Sequence, residues 1–309
     1  MMNEQTTAAE SNRVTERQLS GIMRDLWLLM KPELTLLSVF TSLCSAYLAI
    51  HASNETQLLV FPLLALGTLF VGGGSGALNQ YFEREEDALM KRTEKRPVPD
   101  QRLAPVEALI FGATISVAGI AILFLINWLT ALLSVLTLVT YVFLYTPLKK
   151  ISTLSTIIGA IPGALPTLIG WVAVSNSLSF QAFSLFAILF YWQMPHFYSI
   201  GWLYRTDYTK AGFRLLTSLD TKGTKVSTHI IVNQIILVAI GISPALVGLV
   251  TWDYVPIALL VGLGFLFFGL RFMHSVGQDT SGARARTLFF ASLFYLPIIF
   301  SAMIIFKTQ

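Results

Sequence analysis

The sequence predicts an all-α polytopic membrane protein with nine transmembrane helices, and three observations carry that reading. Hydrophobic residues make up 54% of the 309 and charged residues only 12%, with mean hydropathy +0.67. A water-soluble domain of this length does not need so much apolar surface. Nine apolar stretches can be marked, each near the roughly 20 residues that cross a bilayer core as a helix. The bases, finally, fall in alternate loops, as the topology of nine spans requires. Cys44 is the only cysteine, which excludes an internal disulfide and a cysteine-cluster metal site.

Taken in order, residues 1–30 are polar and mix acids with bases. They lack the apolar core of a signal peptide and the acid-poor, Arg-rich pattern of a transit peptide, and read as a cytoplasmic N-terminal tail. A transmembrane domain over 31–309 follows. Its spans are expected at 34–51, 58–80, 105–126, 129–147, 154–174, 179–201, 229–250, 254–272 and 287–306. Arg13, Arg17, Arg24 and Lys31 precede the first, and Arg84, Lys91, Arg92, Lys95, Arg96 and Arg102 follow the second. Lys149 and Lys150 follow the fourth; Arg205, Lys210, Arg214, Lys222 and Lys225 follow the sixth; Arg271, Arg284 and Arg286 follow the eighth. Of the 21 bases, only Lys307 falls on the far side. The positive-inside rule makes the basic side, with the N-terminus, cytoplasmic and puts the C-terminus opposite.

Within the spans, small residues recur: Gly72, Gly73, Gly74 and Gly76, then Gly159, Gly163 and Gly170. Close helix packing accounts for them better than ligand contact. Pro162, Pro166 and Pro195 loosen helices where neighbours can satisfy the freed carbonyls. Trp171, Trp192, Trp202 and Trp252 lie near expected span ends and read as interfacial anchors.

Chemistry concentrates in the stretch from Asn79 to Pro97, which follows a long apolar run. Asn79, Glu83 and Asp87 are four residues apart, so a continuing helix sets them on one face. Oxygen ligands with cations close behind suit a magnesium ion holding a phosphorylated substrate; a solvated helix end laced with salt bridges is the competing reading. Asp207 stands on the same side and is the only acid between Glu107 and Asp220. Tyr145, Lys149 and Lys150 add a phenol and two ammonium groups there. The pattern is a membrane cavity opening to the cytoplasmic interface, with acids on its floor and apolar helices around a lipid tail. His196 follows Pro195 in the sixth span and reads equally as a ligand-contacting group or as a satisfied polar residue of the bundle. No Ser/His/Asp or Cys/His arrangement indicates covalent catalysis, and nothing indicates nucleic acid.

These segments resemble the UbiA-type intramembrane prenyltransferases, and within them the haem-directed farnesyltransferase branch. The matching pieces are Lys31-Pro32, the 79–97 stretch with its MKRT and RP tail, YTPLK at 145–149, GAIPGALPTLIGW at 159–171, WQMPHF at 192–197, YRTDYTKAG at 204–212 and LFFASLFYLP at 288–297. The resemblance implies a UbiA-like bundle around a central cavity. It implies that Asn79, Glu83, Asp87 and Asp207 hold Mg2+ on the diphosphate and serve catalysis. Lys91, Arg92, Arg96, Tyr145, Lys149 and Arg205 become the candidates for diphosphate contacts, and His196 for the haem. The implied substrates are farnesyl diphosphate and haem b, the latter a substrate rather than a cofactor, with haem O as product in a bacterial plasma (inner) membrane. Haem A synthase or a terminal-oxidase assembly factor is the implied partner. Two departures stand out: the family usually carries Asp where this chain has Glu83, and Phe213-Arg214-Leu215-Leu216 follows Gly212 where a Pro-containing apolar stretch is usual. Two rival readings remain at this point: a related enzyme prenylating an aromatic acid for quinone synthesis, and a secondary transporter. Transporters place ionisable groups at mid-depth between repeats, whereas here the acids crowd one interface.

Overall fold

The computed structural model describes residues 20–50 and 59–308; residues 1–19 of the expected tail, 51–58 and 309 lie outside them. The architecture is all-α, and no strand occurs among the described residues beyond an isolated bridge between Val250 and Lys307. Among the described residues, nine long helices form the bundle: α1 (Pro32–Ala49), α2 (Val60–Phe82), α3 (Pro105–Ile126), α4 (Trp128–Leu148), α5 (Ser155–Ser175), α6 (Phe180–Leu203), α7 (Thr224–Leu246), α8 (Tyr254–Ser275) and α9 (Ser281–Ile305). Their boundaries agree with the expected spans to within a few residues. The two largest differences are the starts of α7 and α9, which reach back over Lys225 and over Arg284 and Arg286. Long basic side chains can lie along a helix end and still keep their charge in water, so the apolar run understates the helix there.

Local chemistry starts and stops these helices. Pro32 and Pro105 stand at first helical positions, where a missing N–H costs nothing. Asn127 Oδ1 caps α4 by accepting from Thr130 N at 2.8 Å, and Ser179 Oγ caps α6 by accepting from Ala182 N at 3.3 Å. Small residues let the backbones close up. A methyl group on Gly74 of α2 would strike Ser116 of α3, and one on Gly170 of α5 would strike the Ser42 carbonyl of α1.

Among the described residues, eight helices are long and apolar enough to cross a membrane. The ninth, α6, has 24 residues but carries Trp192, Gln193 and His196. It nevertheless runs the whole length of the bundle. At one end Gln181 Nε2 donates to Val247 O (3.1 Å), beside the end of α7; at the other, α6 hands the chain to the segment holding Asp207. That arrangement buries α6 against α5, α7 and α9, which is why it tolerates polar groups.

Two sequence expectations are corrected. Residues 20–29, read as the end of a polar tail, form a helix packed on the bundle. Leu29 is fully buried, Arg102 Nε donates to both Asp25 carboxylate oxygens at 3.1 Å, and Gln80 Nε2 donates to Leu28 O and Leu29 O. Trp171, Trp192 and Trp202 are buried inside the bundle rather than anchoring an interface, and of the four named only Trp252 is exposed. Trp192 Nε1 donates to Ser292 O of α9 at 2.8 Å, so the indole is a helix-to-helix tie.

Candidate active site

At the end of α2 the helix pauses at Glu83 and resumes as the short helix Arg84–Ala88. The i to i+4 rhythm survives the pause, with Glu83 N bonded to Asn79 O (2.9 Å) and Asp87 N to Glu83 O (2.8 Å). Asn79, Glu83 and Asp87 therefore share a face, and all three are almost fully buried. Buried charge demands partners, and each oxygen group has one. Lys31 Nζ donates to Asn79 Oδ1, Lys149 pairs with Glu83, and Arg96 Nη1 pairs with Asp87 Oδ2 at 2.6 Å. The second Asp87 oxygen, Oδ1, is buried without a donor. Glu86, off this face, pairs with Lys150.

The cations feel one another. Burial pushes the Lys31 ammonium well below the usual lysine range, and the nearby Arg96 and Lys149 push it the same way, with Glu83 and Asp87 opposing. Burial is the largest single influence on Lys149 and works against its charge, yet the Glu83 carboxylate, with Tyr145 and Tyr141 adding to it, holds Lys149 above the lysine range. Lys149 Nζ also stands 4.8 Å from the Tyr145 ring centre and 5.2 Å from that of Phe213.

The loop after α6 closes over this cluster. Arg214 N donates to Lys149 O (2.8 Å), tying the loop to the end of α4, and Arg92 Nη2 donates to Tyr208 Oη at 3.1 Å. Arg205 lies over Trp202 at 4.4 Å. Asp207 is half-buried and its carboxylate makes no hydrogen bond or ion pair among the described residues. Lys91 is exposed and likewise unpaired. The structure thus brings Asn79, Glu83, Asp87, Arg96, Tyr145 and Lys149 together, places Arg205 and Asp207 on the adjoining segment after α6, sets Arg92 from the segment after α2 against its Tyr208, and leaves Lys91 at the rim. No three His, Cys, Asp or Glu side chains among the described residues are gathered around one point; each acid of the cluster is held by its own base.

A cavity of about 970 Å³, counting its open mouth, extends from Lys31 and Tyr145 between α1, α2, α4, α5 and α6. Its walls are largely apolar. Gly72, Gly76, Gly159 and Gly163 line it, so these glycines make room as well as close contacts. His196 lines the cavity away from the acids, with Nδ1 2.8 Å from Ser292 Oγ and its ring stacked on Trp192.

Sequence reasoning passed over Lys31 and Thr146 as site residues. A base immediately before the proline that opens α1 was the available signal for Lys31. Thr146 accepts a hydrogen bond from Asn79 Nδ2 at 2.9 Å, and no local pattern announces that contact.

The profile of the UbiA prenyltransferase family matches residues 38–294. The Protoheme IX farnesyltransferase of Solibacter usitatus (strain Ellin6076) is 40% identical over 291 residues, covering 92% of this chain and 98% of that protein. Two solved structures share the fold. A digeranylgeranylglyceryl phosphate synthase superposes with TM-score 0.73 at 15% identity, over 92% of this chain and 97% of its own. A UbiA homolog from Archaeoglobus fulgidus bound to DMAPP and Mg2+ superposes with TM-score 0.67 at 14% identity, over 90% and 99%.

Proposed function

The chain belongs to the UbiA prenyltransferase family, in its protohaem IX farnesyltransferase branch, and from that premise we propose how its site works. The protein is an integral membrane enzyme. It transfers the farnesyl group of farnesyl diphosphate to a vinyl group of haem b, and water supplies the hydroxyl of haem O. The observation that carries the reading is the junction of a buried oxygen-and-cation cluster with an apolar cavity.

Asn79, Glu83, Asp87 and Asp207 are the groups that would hold Mg2+ against the diphosphate. Their hard oxygens suit that ion, and Asp87 Oδ1, buried with no hydrogen-bond partner among the described residues, would suit it too. The homolog bound to DMAPP and Mg2+ supports this reading. When bound, the ion would neutralise charge on the leaving diphosphate. Lys31, Arg92, Arg96, Tyr145, Lys149 and Arg205 are the diphosphate contacts, with Lys91 the outermost base. Placed before the reaction begins, these donors stabilise the leaving charge without reorganising. The cavity walls keep the allylic cation from bulk water until the vinyl group reaches it. His196 faces the haem, through the iron or a propionate. The longer Glu83 side chain would hold the ion from the place the family gives to Asp.

All nine helices cross the bilayer in this reading, α6 included, with the basic loops and the cavity mouth on the cytoplasmic side of a bacterial plasma (inner) membrane. The catalytic domain is 31–309, with residues 20–29 docked on it. Haem A synthase or a terminal-oxidase assembly factor receives the product.

The test is an assay in purified membranes with haem b, farnesyl diphosphate and Mg2+, read by mass spectrometry of extracted haems. A haem heavier by one farnesyl group plus water, lost on chelation, is the expected product. A prenylated aromatic acid in its place would overturn the acceptor; product unaffected by chelation would overturn the metal.

A further inference from the structure

The end of α4 is not an ordinary helix. Residues Thr140–Tyr145 form a π-helical turn, followed at once by Thr146 and Pro147. Pro147 has no N–H, and its ring would press on the carbonyl four residues back in a regular helix; the wider π-turn relieves that. The wider turn also brings both Thr146 donors to one carbonyl. Thr146 N and Thr146 Oγ1 both bond Tyr141 O, the latter at 2.9 Å. A threonine hydroxyl has a single proton. With it committed to Tyr141 O, Oγ1 can only accept, and the donor facing it is Asn79 Nδ2 at 2.9 Å.

This network fixes which way the Asn79 carboxamide points. Its amino group must face Thr146, so its Oδ1 faces Lys31 and the neighbouring Glu83 and Asp87. Both Asn79 and Thr146 are buried, so water cannot take over either role.

Resting on the function proposed above, we propose that Thr146 is a positioning residue: through the π-turn it locks Asn79 with its oxygen, not its amino group, presented to the divalent cation. The reversed amide would offer two N–H donors where the cation needs an oxygen. Lys31 holds the same oxygen in the meantime, and the relay keeps it aimed when the lysine leaves.

The experiment compares wild type, Thr146→Val and Thr146→Ser, purified in detergent. Mn2+ binding is measured by electron paramagnetic resonance in the presence of an unreactive farnesyl thiolodiphosphate, and thermal unfolding is followed in parallel. Valine keeps the shape and removes the acceptor, so Mn2+ affinity is expected to fall roughly 5- to 30-fold, the factor carried by one buried hydrogen bond. Serine keeps the hydroxyl and is expected to restore affinity to within about twofold. Wild-type affinity in the valine variant, or equal loss in the serine variant, overturns the proposal. If the valine variant does not fold, Thr146→Ala makes the same deletion with less bulk and is read the same way. The expected pattern with no haem product from the wild type would overturn the acceptor and leave the relay standing.

Discussion

Lysines do opposite work at the two ends of this bundle. At the far end, Lys307 Nζ donates to Tyr47 O (2.9 Å) and Ile50 O (2.5 Å) and stands 5.0 Å from the Tyr47 ring. Both carbonyls lie at the end of α1, where Tyr47 O also accepts from Ile50 N at 3.3 Å, so Lys307 is a cap. Thr308 Oγ1 adds a bond to Gly248 O, and the clasp is complete. At the cavity end, Lys31 and Lys149 take side-chain oxygens that could bind something else, and Lys31 lines the cavity itself. A lysine on orphaned backbone has finished its task; a lysine on Asn or Glu beside a cavity is waiting for a ligand.

Removing the oxygens should have the largest effect. Asp87→Ala and Asp207→Ala are each expected to lower farnesyl transfer by about 10²–10³-fold or more. Their stabilities should separate them. Asp87→Ala strands Arg96 and lowers the unfolding temperature, whereas Asp207, which has no partner among the described residues, leaves it unchanged. Full activity in both variants would dissolve the distinction between the two ends.

Next comes Lys149→Met, which leaves the Glu83 carboxylate buried without its cation and should destabilise the protein by about 3–5 kcal/mol. The pH dependence has a definite sign. Lys149 is held above its unfolded value of about 10.4. Its contribution is therefore complete below that pH and is lost as pH rises through the folded value. Unfolding measured from neutral pH upward should show a constant gap between wild type and variant that narrows only above about 10.4. A gap that narrows near pH 7 would mean Glu83 is not its partner.

The smallest effect belongs to the clasp. Lys307→Met should cost about 1 kcal/mol of stability and leave the turnover rate at its wild-type value. A large loss of transfer at unchanged stability would show that the far end takes part in catalysis.

Much of this was readable in the chain. Hydropathy marked the long helices of the bundle, and the basic loops placed the acids at one end, because both depend on local windows of residues. The spacing of Asn79, Glu83 and Asp87 put them on one face, and the interruption at Glu83 did not disturb that rhythm. Span-end reasoning failed for Trp171, Trp192 and Trp202, since burial depends on what packs alongside. It failed too for residues 20–29, where the Asp25 carboxylate accepts from Arg102 and the Leu28 and Leu29 carbonyls accept from Gln80.

The sequence by itself thus determined the helices, their alternating order and the chemical types gathered at the polar end. Only the tertiary structure decided which base holds which oxygen. Lys31 meets Asn79 across 48 residues, Asn79 meets Thr146 across 67, and Lys307 meets Tyr47 across 260. Transfer of apolar side chains out of water is fixed by each segment alone, whereas a buried charge is settled by whichever partner the packing brings within reach.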